Sequence, residues 1–190
     1  MHPIQHQLHS DHHHMQLLLS CLSQEIDCFD FDSQRPADME IIVSALDYFH
    51  VYPDKWHHPA EDVIFKRLLD KKPDEKVILE KLLREHEEIS LETIKINQLF
   101  QTAADDCIVS VPDLVNGARE FITLQRTHLD TENEFIYPLL SEVFDADEWK
   151  AIEVEIKAEV KIHDDPLFNN ISKKEYKHLY NYIINSEKQK

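Results

Sequence analysis

The sequence predicts an all-α fold: an up-down-up-down four-helix bundle with one or two extra helices at the C-terminus. Three observations carry this. Gly117 is the single glycine among 190 residues, and hairpin-rich β folds depend on glycine-bearing turns. Lys, Glu, Leu and Gln are abundant, and all favour helix. Above all, apolar residues recur at alternating spacings of three and four in four long segments, which lays one stripe along each of four helices.

The first segment, residues 4–27, puts Leu8, His12, Met15, Leu19, Leu22 and Ile26 in one stripe before "CFDFDSQRPA" breaks the pattern. The second, residues 38–70, aligns Ile42, Leu46, Phe49, His57, Glu61, Ile64 and Leu68. Pro53 and Pro59 lie inside it. Each lacks a backbone donor, so a kink or a restart is expected there. After the turn "DKKPDEK", residues 74–103 align Leu79, Leu82, His86, Ile89, Thr93, Ile96 and Phe100. The loop "ADDCIVSVP" leads to residues 112–142, with Phe121, Leu124, His128, Glu132, Phe135 and Leu139 in phase. Short connections between four such helices favour a bundle. Asp145 to Val160 reads as a fifth helix, and Ser172 with Glu175 as a capping box opening a sixth. The expected division is a bundle over 1–143 and a helical extension over 144–190 packed on it.

Composition narrows the function. A formal charge of −17 argues against nucleic acid and anionic membrane as partners. Cys21, Cys28 and Cys107 are odd in number and form no C-x-x-C, which points away from structural disulfides and toward a reducing cytoplasm. No segment reaches the length of a membrane span, and the N-terminus lacks the regions of a signal peptide. With one glycine there is no phosphate-binding loop, and no Ser/His/Asp arrangement is visible. Oligomeric state is open, with a homodimer as one option.

Thirteen histidines are the unusual feature. His12, His57, His86 and His128 each occupy a stripe position where leucine would be normal, and Glu61 and Glu132 share the phase. A single histidine of this kind is usually a hydrogen-bonded core residue. Four, with two carboxylates each one turn from a histidine, are different. Buried unpaired carboxylates are costly and repel one another, and a cation removes both problems. Imidazole and carboxylate without thiolate suit iron, manganese or zinc. Two carboxylates on separate helices can each bridge two metals, with two histidines capping each.

These residues resemble a known family. "SDHHH", "HHPAED", "REHEE" and "HLDTE", in that order over about residues 4–142, are similar to the hemerythrin-like, or HHE cation-binding, proteins. The resemblance implies a four-helix bundle with an oxo- or hydroxo-bridged non-haem di-iron centre. His12 and His57 would serve one iron, His86 and His128 the other, and Glu61 and Glu132 would bridge. Zinc and manganese are alternative occupants in the isolated protein. The chain departs from the oxygen carriers of the family at Ser90, where they have a further histidine, and in using His-x-x-x-Glu on the fourth helix. A stand-alone binder or sensor of a small ligand such as O2, NO or peroxide is therefore expected ahead of an oxygen carrier. The alternatives are a di-iron redox enzyme acting on peroxide, O2 or NO, and an iron storage or delivery protein.

Other residues are ranked lower. His58 and Asp62 repeat the His-x-x-x-acid spacing one residue on, about 100° round the helix, and are expected as supporting or surface groups. His9, one turn before His12, is an alternate ligand. His13 and His14 are expected to be exposed. Glu175 and His178 form an isolated Glu-x-x-His expected at the surface. Tyr48, Tyr52, Tyr137 and Trp56 are expected as core or interface residues.

Overall fold

The structure is a computed structural model that describes residues 2–30, 32–105, 107–160 and 177–188. Every regular element among them is helical. Helix α1 (Pro3–Asp27) starts on a proline, whose missing N–H costs nothing in the first turn. Helix α2 (Met39–Tyr52) is capped by Asp38, whose side chain accepts from the Glu40 and Ile41 N–H groups at 3.1 and 3.2 Å. It continues through a π turn (Pro53–His57) into α3 (His58–Lys71). A short 3₁₀ turn (Pro73–Glu75) leads to α4 (Lys76–Ala104). Helix α5 (Val111–Thr131) likewise passes through a π turn (Glu132–Ile136) into α6 (Tyr137–Val143). Helix α7 (Ala146–Glu159) opens with a capping box of Asp145 and Glu148, and α8 is Lys177–Glu187. The predicted capping box at Ser172 and Glu175 lies outside the described residues.

The helical runs close a ring of neighbours. α1 packs on α2 and α5, and α4 packs on the same two. α7 lies against α3, and α8 against α2 and α1. Met15, Leu22, Phe49, Phe65 and Phe100 are fully or almost fully buried between them, each contributing roughly 1.5–3 kcal/mol through apolar burial. Gly117 has a packing reason. A Cβ there would stand 3.0 Å from Ile96 Cδ1 on α4, so glycine permits α4 and α5 their close approach.

The second run is interrupted at the prolines as expected, and the interruption is a widened turn. A proline inside a helix lacks the N–H that would bond four residues back, and its ring crowds that carbonyl. A π turn relieves this by moving bonds to i+5. The His58 N–H bonds Pro53 O, and the Tyr137 N–H bonds Glu132 O. In both runs a proline follows two residues after the turn: Pro59 after His57, Pro138 after Ile136.

Each π turn absorbs one extra residue and shifts the register of the helix beyond it. The prediction that Phe135 faces the core is corrected by this shift: Phe135 is 51% exposed and Ile136 0%. Likewise Leu140 is buried in place of the partly buried Leu139, and Leu124 is also only partly buried. The remaining stripe residues of the four segments are all buried. Ile136→Ala should therefore cost about 2–5 kcal/mol by leaving a cavity, whereas Phe135→Ala should stay within about 0.5 kcal/mol. Chemical unfolding of the two variants checks this, and a plain α register would reverse their order.

A second buried carboxylate network anchors the far end of α1. Glu25 has no exposed surface. It accepts from Arg35 Nη1 and Nη2 at 2.7 and 2.6 Å, from the Asp38 N–H at 2.9 Å, and from the Tyr182 hydroxyl of α8. Burial opposes its charge, but Arg35 and the other donors outweigh that and hold its carboxyl below the ordinary carboxylate range. A depressed folded pKa means a stabilisation that is full above the unfolded pKa and lost as pH falls through the folded value. Glu25→Gln should cost about 2 kcal/mol near neutral pH, and the gap to the parent protein should narrow in acid. Urea unfolding of both proteins across pH reads this out.

Candidate metal centre

The ring of helices brings the six predicted residues together. His12 comes from α1, His57 from the first π turn, Glu61 from α3, His86 from α4, His128 from α5 and Glu132 from the second π turn. All are buried, none more than 5% exposed. His12 Nε2 and His57 Nε2 face each other at 3.0 Å. Glu61 reaches both halves: its Oε1 is 3.5 Å from His12, and its Oε2 lies 3.2 Å from His57 and 3.5 Å from His86. Glu132 does the same from the opposite side. Its Oε2 is 3.3 Å from His12, and its Oε1 is 3.3 Å from His86 and 3.2 Å from His128.

An outer layer of oxygens fixes the rings. Nδ1 of His12 meets Asn133 at 3.0 Å, that of His57 meets Asp11 at 3.3 Å, that of His86 meets Asp62 at 2.7 Å and that of His128 meets Glu85 at 3.2 Å. Each contact sets a tautomer and turns Nε2 inward. Asp11 has no exposed surface and is itself held by Tyr52 (3.0 Å) and Gln7 (2.9 Å).

Asp11, Glu85 and Asn133 had no assigned role in the sequence. Asp11 left a signal there: Leu8, Asp11, Met15, Leu18 and Leu22 keep the three-four spacing as well as the stripe containing His12. Glu85 and Asn133 merely neighbour ligand positions and left none.

His58 is buried, which leaves the supporting role and removes the surface one. It is 6% exposed and packs on His86 with ring centroids 4.5 Å apart at 14°, and edge-on to His128 at 6.0 Å. Its ligand atom lies within 4.8 Å of those of His86 and His128. The cause is geometric. The α2–α3 run has neighbours on two sides, so residues about 100° apart both face inward: His57 toward α1, His58 toward α4.

Asp62 supports His86 as expected. Tyr48, Tyr52, Tyr137 and Trp56 are all buried. The Tyr137 hydroxyl donates to Glu61 at 2.5 Å and lies 2.9 Å from His12 Nε2. His9 packs edge-on against Tyr137 rather than joining the cluster. His13 is exposed as expected, His14 half-buried. His178 is exposed, 3.8 Å from Glu40, and Glu175 lies outside the described residues.

The polar interior fits a cation. Glu61 Oε2, Glu132 Oε2 and His128 Nε2 are buried with no hydrogen-bond partner, an arrangement costly unless something charged sits among them. Without a cation, protons take that part. Burial disfavours charge on His57 and His128, but Glu61 and Asp11 in the first case and Glu132 and Glu85 in the second outweigh it, raising both to about 10. Burial raises the glutamates, yet His57 and His12 hold Glu61 down, and His128 and His86 hold Glu132 down. Nitrogen and oxygen donors without thiolate match iron, manganese or zinc. Cys28 and Cys107 are free thiols.

Solvent meets the cluster on one side. A groove of about 400 Å³ is lined by Asp54, His58, Asp62, His86, Glu87 and Ser90, among others. His58 and His86 are 6% and 5% exposed, while the other cluster residues are at 0–1%.

Fold and site together define a helical cation-binding protein. The chain belongs to the hemerythrin HHE cation-binding domain family, whose model matches residues 4–140. No curated protein matches the sequence closely enough to count as a relative. No helix among the described residues is long and apolar enough to cross a membrane.

A bound cation stabilises whichever state holds the site. Adding Fe(II), Mn(II) or Zn(II) to chelator-stripped protein should raise its melting temperature. A melting curve indifferent to all three would mean that the cluster holds no cation.

Proposed function

We propose that this protein is a non-haem di-iron protein that binds or senses a small ligand such as O2, NO or peroxide. The observation that carries the reading is the sharing of Glu61. It belongs to one donor group with His12 and His57, and to another with His86, His128 and Glu132. One carboxylate common to two buried donor groups is what a pair of metals requires. His12 and His57 would hold one iron, His86 and His128 the other, and Glu61 and Glu132 would bridge. The irons, when bound, supply positions at which a small exogenous ligand is held.

The chain's own residues do the rest. Asp11, Asp62, Glu85 and Asn133 orient the imidazoles. Tyr137 supplies a hydroxyl proton beside Glu61, and its pKa is raised by burial and by the two glutamates. The groove beside His58 and His86 gives a small molecule a way in.

The closed ring of helix neighbours and the short connections support an up-down-up-down four-helix bundle over 1–143, with 144–190 as an extension. An odd number of cysteines with no C-x-x-C fits a reducing cytoplasm.

Protein supplied with iron should carry two irons per chain, one at His12 and His57 and one at His86 and His128, the two halves that share Glu61. His57→Ala and Glu61→Ala should lower iron content and melting temperature together, while His13→Ala and His178→Ala should change neither. One zinc and no iron in iron-loaded preparations, or equal loss from all four substitutions, would sink the di-iron reading. Anaerobic reconstitution followed by exposure to O2, NO and peroxide, watched by optical spectroscopy, then separates the roles. Stoichiometric binding marks a sensor or binder, turnover an enzyme, and indifference to all three a metal store.

A further inference from the structure

We propose that His58 is a fifth histidine ligand, completing the half of the centre held by His86 and His128. The proposal rests on the di-iron reading above and deepens it.

Position comes first. His58, His86 and His128 form a donor group by themselves, with ligand atoms within 4.8 Å of one another. The His58 ring is clamped, stacked on His86 and edge-on to His128. The position leaves this imidazole among nitrogen donors rather than aliphatic side chains.

The second argument is the outer layer. Each of the other four histidines has an oxygen acceptor at Nδ1. His58 has one too: Nδ1 lies 3.5 Å from Asp54 Oδ1. That is longer than its counterparts and at the outer limit of a hydrogen bond. Asp54 in turn is fixed from α4, where the Ser90 hydroxyl donates to its Oδ2 at 2.8 Å. Ser90 therefore does not leave a gap in the centre. Its hydroxyl turns outward and secures the carboxylate that faces His58.

The consequence is an unequal pair. One half has three imidazoles, His58, His86 and His128, and the other has two, His12 and His57, with the Tyr137 hydroxyl beside them. The two cation-binding events should differ, and the open positions should concentrate on the His12–His57 half.

Co(II) titration of chelator-stripped protein tests this, because its visible absorption reports the donor set directly. Wild type should take up two equivalents, and X-ray absorption at the metal edge should count five imidazoles per pair. His58→Ala should weaken one of the two events by at least about tenfold and lower the count to four. Asp54→Asn should weaken the same event by a smaller factor. His58→Gln, closer in size, keeps the test open should the alanine variant unfold.

Two equivalents in wild type with an unchanged titration and spectrum in the His58 variants would overturn this proposal alone. So would a lower melting temperature of the metal-free variants with undiminished affinity, which marks a packing role. Fewer than two equivalents in wild type would overturn the di-iron reading itself.

Discussion

Two carboxylates that cannot reach water organise this molecule. Glu61 and Glu132 have no exposed surface, and both lie against His12 and His86. Isolated charges in such surroundings are far too costly to keep. Positive charge supplied among them, by protons on His57 and His128 or by cations, relieves that cost. Each helix of the ring contributes a positive-side partner, so the helices are held to one another through this centre as well as through apolar packing. Fold and cation affinity are then aspects of one balance, and a change to either glutamate alters both.

Around that centre lies a graded arrangement of charge. Inside are carboxylates and imidazole Nε2 atoms; outside them is a layer of acceptors, Asp11, Asp54, Asp62, Glu85 and Asn133, each facing an Nδ1. Beyond those stand ordinary groups such as Tyr52, Ser90 and Lys81, which hold the acceptors in place. The outer layer explains part of the acidic balance of the chain. Several of its carboxylates are not solubility charges but parts of the site, and they make each imidazole a better donor.

Much of this was legible in the sequence. The stripes placed His12, His57, Glu61, His86, His128 and Glu132 on buried faces, where the structure has them, because a residue in phase with leucines is carried inward with them. Leu124 lies before the π turn, and nothing in the structure explains its partial exposure; the other misses have physical reasons. The 3.6-residue period assumes α geometry, so it failed at Phe135, just where a π turn adds a residue. A single stripe assumes one facing neighbour, so it set aside His58, which serves a second. Asp11 and Glu25 kept the apolar phase and could have been read from it. Glu85 and Asn133 could not, since their roles arise from helices meeting in space.

The π turn at Pro53–His57 has a consequence for how this segment tolerates change in length. Such a turn is one residue of slack in a helix. A deletion before His57 can be absorbed by closing the turn to plain α geometry, which leaves the faces beyond it in place; if the turn stays, everything after it turns by about 100°. Most metal sites would be destroyed by such a slip. Here the next residue after His57 is again a histidine, and four further on stands Asp62, again a carboxylate. The apolar positions are doubled too, since Ile64 and Phe65 are both buried. The segment therefore spells its donor pair in two overlapping frames, His57 with Glu61 and His58 with Asp62. A deletion that shifts the frame replaces one donor pair with another instead of with nothing.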